Sequence, residues 1–102
     1  MEATNDESPM LRKRLHAFVS GRVQGVWFRK NTVLTANKIG DVTGWCKNLS
    51  DGRVEVVAEG TEAKLQLLVD FLNVGPELAR VINVETSFSA ATGEFTSFGV
   101  RK

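Results

Sequence analysis

Between Leu11 and Val100 the apolar residues switch between a repeat of two and a helical repeat, and the order of those switches leaves few possible folds. Leu11 to Ser20 (LRKRLHAFVS) alternates, with Leu15, Ala17 and Val19 on one face and Arg14, His16 and Phe18 on the other, which predicts a strand. A glycine-bounded loop, Gly21-Arg-Val-Gln-Gly25, follows. Phe28, Thr32, Ala36 and Ile39 then share one face of a helix expected from about Val26 to Ile39, with Gly40 as its terminator. Val42 to Asn48 reads as a strand. Leu49-Ser-Asp-Gly52 reads as a hairpin turn in which Gly52 takes positive φ. Arg53 to Glu59 returns as a strand that Gly60 breaks. Thr61 is the expected N-cap of a second helix, whose apolar stripe is Leu65, Leu68, Val69 and Leu72 and which Gly75-Pro76 ends. Ala79 to Ser87 alternates again, and Phe95 to Val100 is read as a short last strand.

The order β-α-β-β-α-β plus a short C-terminal strand, with a hairpin in the middle, is the ferredoxin-like split β-α-β sandwich. This is an α+β fold with an antiparallel-dominated sheet and two helices on one face. The 102 residues suffice for one domain that buries roughly 60–70% of its unfolded surface. That domain is expected over residues 11–102. Residues 1–10 are polar and acidic, lack the basic start and apolar run of a secretory signal, and read as a flexible tail.

The topology has a geometric consequence. Its first two strands are parallel with the third between them, so their C-terminal ends reach the same edge about 10 Å apart. The Gly21–Gly25 loop, the start of the first helix with Arg29 in its opening turn, and Asn48 all meet at that edge.

Backbone N–H groups of a glycine-rich strand-to-helix loop can form an anion nest, reinforced by the helix N-terminus. The loop lacks the Lys-Ser or Lys-Thr of a nucleotide-binding P-loop. Arg29 opposes the helix dipole, an arrangement that suits a bound phosphate, and its guanidinium can grip two phosphate oxygens at once. Its plainer reading is an exposed partner for a surface acid. Arg22 is a rival cation, but its loop-tip position favours solvent. Asn48 cannot act as a base, yet its amide can hold and aim a water. Asn before Ser-Asp-Gly is also ordinary turn chemistry, and nothing local decides between the two.

Gly21-Arg-Val-Gln-Gly-Val-Trp-Phe-Arg29 resembles the first signature of the acylphosphatase family, and Gly44-Trp-Cys-Lys-Asn48, continuing through Asp51-Gly-Arg-Val54 to Gly60, resembles the second. The resemblance spans about Leu15 to Val100. It implies a small ferredoxin-like hydrolase of the carboxyl–phosphate bond that works on small acyl phosphates without a metal. It also implies that Gly21, Arg22, Val23, Gln24, Gly25, Val26 and Trp27 form the phosphate cradle, that Arg29 is the essential arginine, and that Asn48 orients the water. Two departures stand out. One extra residue, assigned to Asp41, lies between Gly40 and Trp45, in a turn where it should leave the site alone. Trp27 holds a position that varies in the family, and its bulk should narrow the mouth.

The remaining chemistry-bearing residues take plain readings. One cysteine and one histidine cannot assemble the usual zinc ligand sets, and no cofactor is implied. Cys46 and Arg53 have six residues between them, not the five of a cysteine-phosphatase loop. Cys46 shares the strand parity of Asn48, and His16 is a sheet-face residue. A lone cysteine fits a reducing cytoplasm, and no apolar run approaches the length of a membrane span. Lys plus Arg number 13 and Asp plus Glu 12, which argues against a DNA-backbone binder. Glu2, Asp6 and Glu7 account for three of those acids, so the remainder of the chain is mildly basic and suits a small anion. RNA binding is disfavoured because there is no tyrosine and the two middle strands offer only Trp45 for stacking. The expected ligands are an acyl phosphate and inorganic phosphate, bound by a monomer with no nucleic acid or membrane partner. A non-catalytic anion-binding module remains the alternative, since the same cradle serves both.

Overall fold

The computed structural model describes residues 11–102, so the acidic tail inferred for residues 1–10 lies outside the described residues. The elements run β1 (Arg12–Arg22), α1 (Phe28–Ile39), β2 (Thr43–Asn48), β3 (Val54–Thr61), α2 (Glu62–Val74), β4 (Arg80–Ala90) and β5 (Phe98–Val100). The five strands form one sheet in the order β4-β1-β3-β2-β5. Pairing is antiparallel except between β2 and β5. This is the α+β ferredoxin-like arrangement the periodicity predicts.

Alternation in β1 and β3 sends Leu15, Ala17, Val19, Val54, Val56 and Ala58 to the helix-covered face, where each is fully buried. Phe28 of α1 and Phe71 of α2 meet over that face with ring centroids 6.0 Å apart. Burying a side chain such as Phe28 contributes about 1.5–3 kcal/mol. The α2 stripe Leu65, Leu68, Val69 and Leu72 is buried as its spacing requires, and the Thr61 hydroxyl accepts from the Lys64 N–H at 3.4 Å.

Several boundaries differ from the expectation. β1 continues two residues past Ser20, through a register shift, so that Gly21 and Arg22 pair with Val81 and Arg80 instead of opening the loop. Gly21 has φ +123°, and a Cβ there would lie 2.2 Å from the Arg80 carbonyl oxygen, so the close approach of β4 requires glycine. α1 begins at Phe28, not Val26, because Trp27 adopts a left-handed conformation. Gly60 does not break β3: it pairs with Lys13 in extended geometry. β4 runs three residues beyond Ser87 along β1, whereas β5 shrinks to Phe98–Val100. The open sheet face carries more aromatic surface than Trp45 alone. His16 and Phe18 of β1 stack at 4.7 Å, the Arg53 guanidinium lies 4.6 Å over Phe18, and that of Arg101 lies 4.3 Å over Trp45.

The shortened β5 is explained by Glu59. Its carboxylate is fully buried on the open sheet face and holds the segment before β5 through the Thr92 and Gly93 N–H groups at 2.9 and 3.0 Å. Arg14 Nε donates to it at 2.8 Å. Burial alone would raise the Glu59 pKa and is the largest single influence. The Thr92 and Gly93 N–H groups, with Arg14, outweigh it and lower the value below the usual glutamate range. A lowered folded-state pKa contributes stability that is present above the unfolded value and lost as pH falls through the folded value. Glu59→Gln is expected to destabilise the protein by about 2–3 kcal/mol at pH 7, discounted because Arg14 reaches solvent. In urea melts across pH, the gap between parent and variant should close as the pH is taken through the acid range. A gap that stays constant from neutral to acid pH would show that the charge of Glu59 does not hold the loop.

Candidate active site

Val54 of β3 pairs with Val19 on one side and Asn48 on the other. This row sets the ends of β1 and β2 two strand spacings apart at one edge, as the topology requires. From there β1 runs on through Arg22 into the loop 23–27 and then α1. A cavity of about 520 Å³ opens at this edge, and Val23, Gly25, Trp27, Arg29 and Asn48 all line it.

The loop is built to leave its N–H groups free. Gly25 has φ +74° and Trp27 φ +65°, so the backbone turns twice through the left-handed region. A left-handed tryptophan is strained, at a cost of about 1–3 kcal/mol. The first α1 hydrogen bond from outside the helix is Asn31 N–H to the Trp27 carbonyl at 3.0 Å. Among the described residues, no backbone N–H from Val23 to Lys30 donates to a backbone carbonyl. The first turn of α1 contains no acid. Unpaired amides and the positive end of the helix dipole therefore meet at the cavity.

The loop's side chains serve other ends. Val23 and Val26 are buried in the core. Gln24 donates from Nε2 to the Leu49 and Arg53 carbonyl oxygens at 2.8 and 2.9 Å, which ties the loop to the β2–β3 hairpin beside Asn48. Gly21, Arg22, Gln24 and Val26 do not line the cavity. Arg22 is exposed at the end of β1, consistent with the solvent-facing position expected for it. A cradle role for Gln24 and Val26 thus rests on their backbones, and Gly21 and Arg22 belong to the strand ladder.

Two polar groups in the cavity lack side-chain partners among the described residues. Arg29 forms no ion pair among the described residues, contrary to its plainer reading. Asn48 Oδ1 is buried and accepts no hydrogen bond. A buried amide oxygen left unpaired costs about 1–3 kcal/mol, more than a turn residue would explain. Cys46 lies on the same face of β2, fully buried, with its thiol directed at the Arg29 carbonyl oxygen at 3.7 Å. Burial pushes the thiol up to about 12, against a smaller opposing pull from the Arg29 charge. Such a thiol is protonated at neutral pH and is no nucleophile. Asp41 takes φ +57° before the start of β2, at the far end of that strand from Asn48, and pairs with Lys64 at 3.0 Å. The extra residue therefore leaves the cavity untouched.

Lys30, Val33, Leu34 and Val100 also line the cavity and were not singled out from the sequence. The available signal was Leu34, an apolar residue off the Phe28–Thr32–Ala36 face.

Fold and cavity together define a ferredoxin-like α+β protein with an anion-ready pocket where β1 meets α1. The acylphosphatase family model matches residues 15–100. An acylphosphatase from Methylococcus capsulatus is 49% identical over 88 residues, covering 86% of this chain and 95% of the relative. The crystal structure of an acylphosphatase from Bacillus subtilis superposes with a TM-score of 0.84 at 34% identity, covering 88% of this chain and 99% of that one. An acylphosphatase from Coxiella burnetii gives 0.82 at 38% identity, with 89% and 94% covered. The chain belongs to the acylphosphatase family, whose reaction is the hydrolysis of acyl phosphates to a carboxylate and inorganic phosphate.

The Gln24 strap generates a test. Gln24→Ala strands two carbonyls and should destabilise the fold by about 1–2 kcal/mol. It should also lower kcat roughly tenfold, because the loop and the Asn48 hairpin are no longer held in register. Thermal melts and steady-state kinetics read both effects, and a variant with lowered stability but parental kcat would reduce the strap to a purely structural tie.

Proposed function

We propose that the chain hydrolyses small acyl phosphates by dividing the work between the loop with Arg29 and the amide of Asn48. The unpaired N–H groups of residues 23–30 and the guanidinium of Arg29 receive the phosphoryl oxygens. Asn48 Oδ1 accepts a hydrogen bond from the attacking water, which turns the lone pair of the water oxygen toward phosphorus. The water oxygen forms a bond to phosphorus as the bond to the carboxylate oxygen breaks, and the carboxylate leaves with the electron pair. The proton lost by the water goes to a phosphoryl oxygen. The leaving group is good, so positioning and charge stabilisation carry the rate without an acid, a metal or a covalent nucleophile. The observation that supports this reading best is that one cavity holds an Arg29 with no acid paired to it among the described residues and an Asn48 Oδ1 with no donor among them.

The same reading treats the protein as a monomer with no nucleic-acid or membrane partner. On the open sheet face, Phe18 and Trp45 already carry arginines over their rings, which leaves less room for stacked bases. No helix among the described residues is long and apolar enough to cross a membrane. A cytoplasmic location fits the buried free thiol of Cys46.

Two substitutions separate the roles. Arg29→Lys keeps the charge but loses the two-pronged grip, and should cost at least about a hundredfold in kcat/KM. Asn48→Ala should abolish turnover while inorganic phosphate still binds, since it removes transition-state alignment but not the ground-state anion site. Calorimetric phosphate titration beside kinetics and a melt decides the matter. Loss of phosphate affinity in Asn48→Ala with the fold intact would overturn the assignment of the water.

A further inference from the structure

The first turn of α1 is gripped from its carbonyl side. Asn31 donates twice to the Trp27 carbonyl oxygen, from its backbone N–H at 3.0 Å and from Nδ2 at 2.9 Å. The Thr32 hydroxyl donates to the Phe28 carbonyl oxygen at 2.8 Å. The Cys46 thiol, a weaker donor, lies 3.7 Å from the Arg29 carbonyl oxygen. Three consecutive carbonyls, of residues 27 to 29, thus each meet a side-chain donor. A trans peptide is planar, with its C=O and N–H pointing in opposite directions. A donor that fixes the Trp27 carbonyl therefore fixes the Phe28 N–H, and one that fixes the Phe28 carbonyl fixes the Arg29 N–H. Phe28 and Arg29 both line the cavity.

An Asn or Thr inside a helix can bond back to the carbonyl four residues earlier with no further consequence, as Asn73 does to Val69 in α2 at 3.0 Å. Two observations set the first turn of α1 apart. Trp27, at φ +65°, makes no side-chain cap, so Asn31 is the side chain that holds this strained peptide. Thr32 is fully buried, and its hydroxyl finds its partner in the Phe28 carbonyl, where a valine of the same shape would need none. Both residues are also poorer helix formers than Ala. A donor on a carbonyl polarises its peptide and makes the N–H on the other side a stronger donor.

We propose that Asn31 and Thr32 are positioning residues for the phosphoryl group: from the carbonyl side they orient and polarise the Trp27–Phe28 and Phe28–Arg29 peptides, whose N–H groups receive it. This rests on the reading of the loop, the first turn of α1 and Arg29 as the phosphoryl site. Neither side chain lines the cavity, so both act through the backbone. Cys46 repeats the arrangement on the next peptide with a weaker donor.

The test is calorimetric titration of inorganic phosphate, beside kinetics with benzoyl phosphate and a melt, in the parent chain, Asn31→Ala, Thr32→Val, Asn73→Ala and Arg29→Ala. Thr32→Val keeps the side-chain shape, and Asn31 and Asn73 lie outside the buried core, so the melt should find these variants folded. Asn31→Ala and Thr32→Val should each weaken phosphate binding about threefold, and together about tenfold, with kcat/KM falling at least as far. Asn31→Ser and Thr32→Ser keep a donor for the same carbonyl and should bind as the parent does. Asn73→Ala removes the same kind of bond from α2 and should leave phosphate affinity unchanged. Parental affinity in both Asn31→Ala and Thr32→Val, an equal loss in Asn73→Ala, or no rescue by the serine variants would overturn the positioning role. Parental affinity in Arg29→Ala would instead overturn the reading of the phosphoryl site itself.

Discussion

The structure turns on a run of backbone N–H groups, Val23 to Lys30, that no backbone carbonyl among the described residues pairs. A helix always begins with orphan donors, and most proteins satisfy them with a capping side chain or an acid in the first turn. This chain does neither. Its N-cap is Trp27, which makes no side-chain cap, and the first turn contributes Arg29 in place of an acid. The arrangement spends local stability on a left-handed tryptophan and a cation at the positive end of the dipole. Both costs make sense once a phosphoryl group sits there, because it satisfies the amides and the guanidinium together.

The rest of the scaffold keeps that run in place. β1 delivers the loop to the sheet edge, and Val54 fixes how far it stands from Asn48. Gln24 ties the loop to the hairpin. Close backbone approach holds the strands in register, and Gly44 shows how close: a Cβ there would lie 2.0 Å from the Val57 carbonyl oxygen. At the opposite end of β3, Glu59 anchors the segment leading to β5, and β5 in turn supplies Val100 to the cavity wall.

Much of this was legible in the sequence, because element order and the shared edge depend only on periodicity and topology. Arg29 was readable because it contradicts helix electrostatics, and the β2 parity correctly put Cys46 and Asn48 on one face. The missed features depend on tertiary partners. Gly60 looks like a breaker, yet extended pairing with β1 needs no special φ there. Ser20 looks like a strand end, yet β4 carries β1 two residues further. Glu59 alternates like a surface residue, and only the return of Thr92 and Gly93 buries it. Leu34 and Val100 look like incidental apolar surface until the fold sets them beside one cavity.

The central claim is that backbone amides of the loop and the first turn of α1, with Arg29, receive the phosphoryl group. Titration of inorganic phosphate into uniformly ¹⁵N-labelled protein, followed by amide and guanidinium chemical shifts, tests it most directly. The account predicts saturable shifts concentrated on the amides of Val23 to Lys30 and the Arg29 Nε–H, with the remaining sheet largely unmoved. Saturable shifts centred elsewhere, for instance on the Arg53 and Arg101 face of the sheet, with the loop amides unmoved, would contradict it.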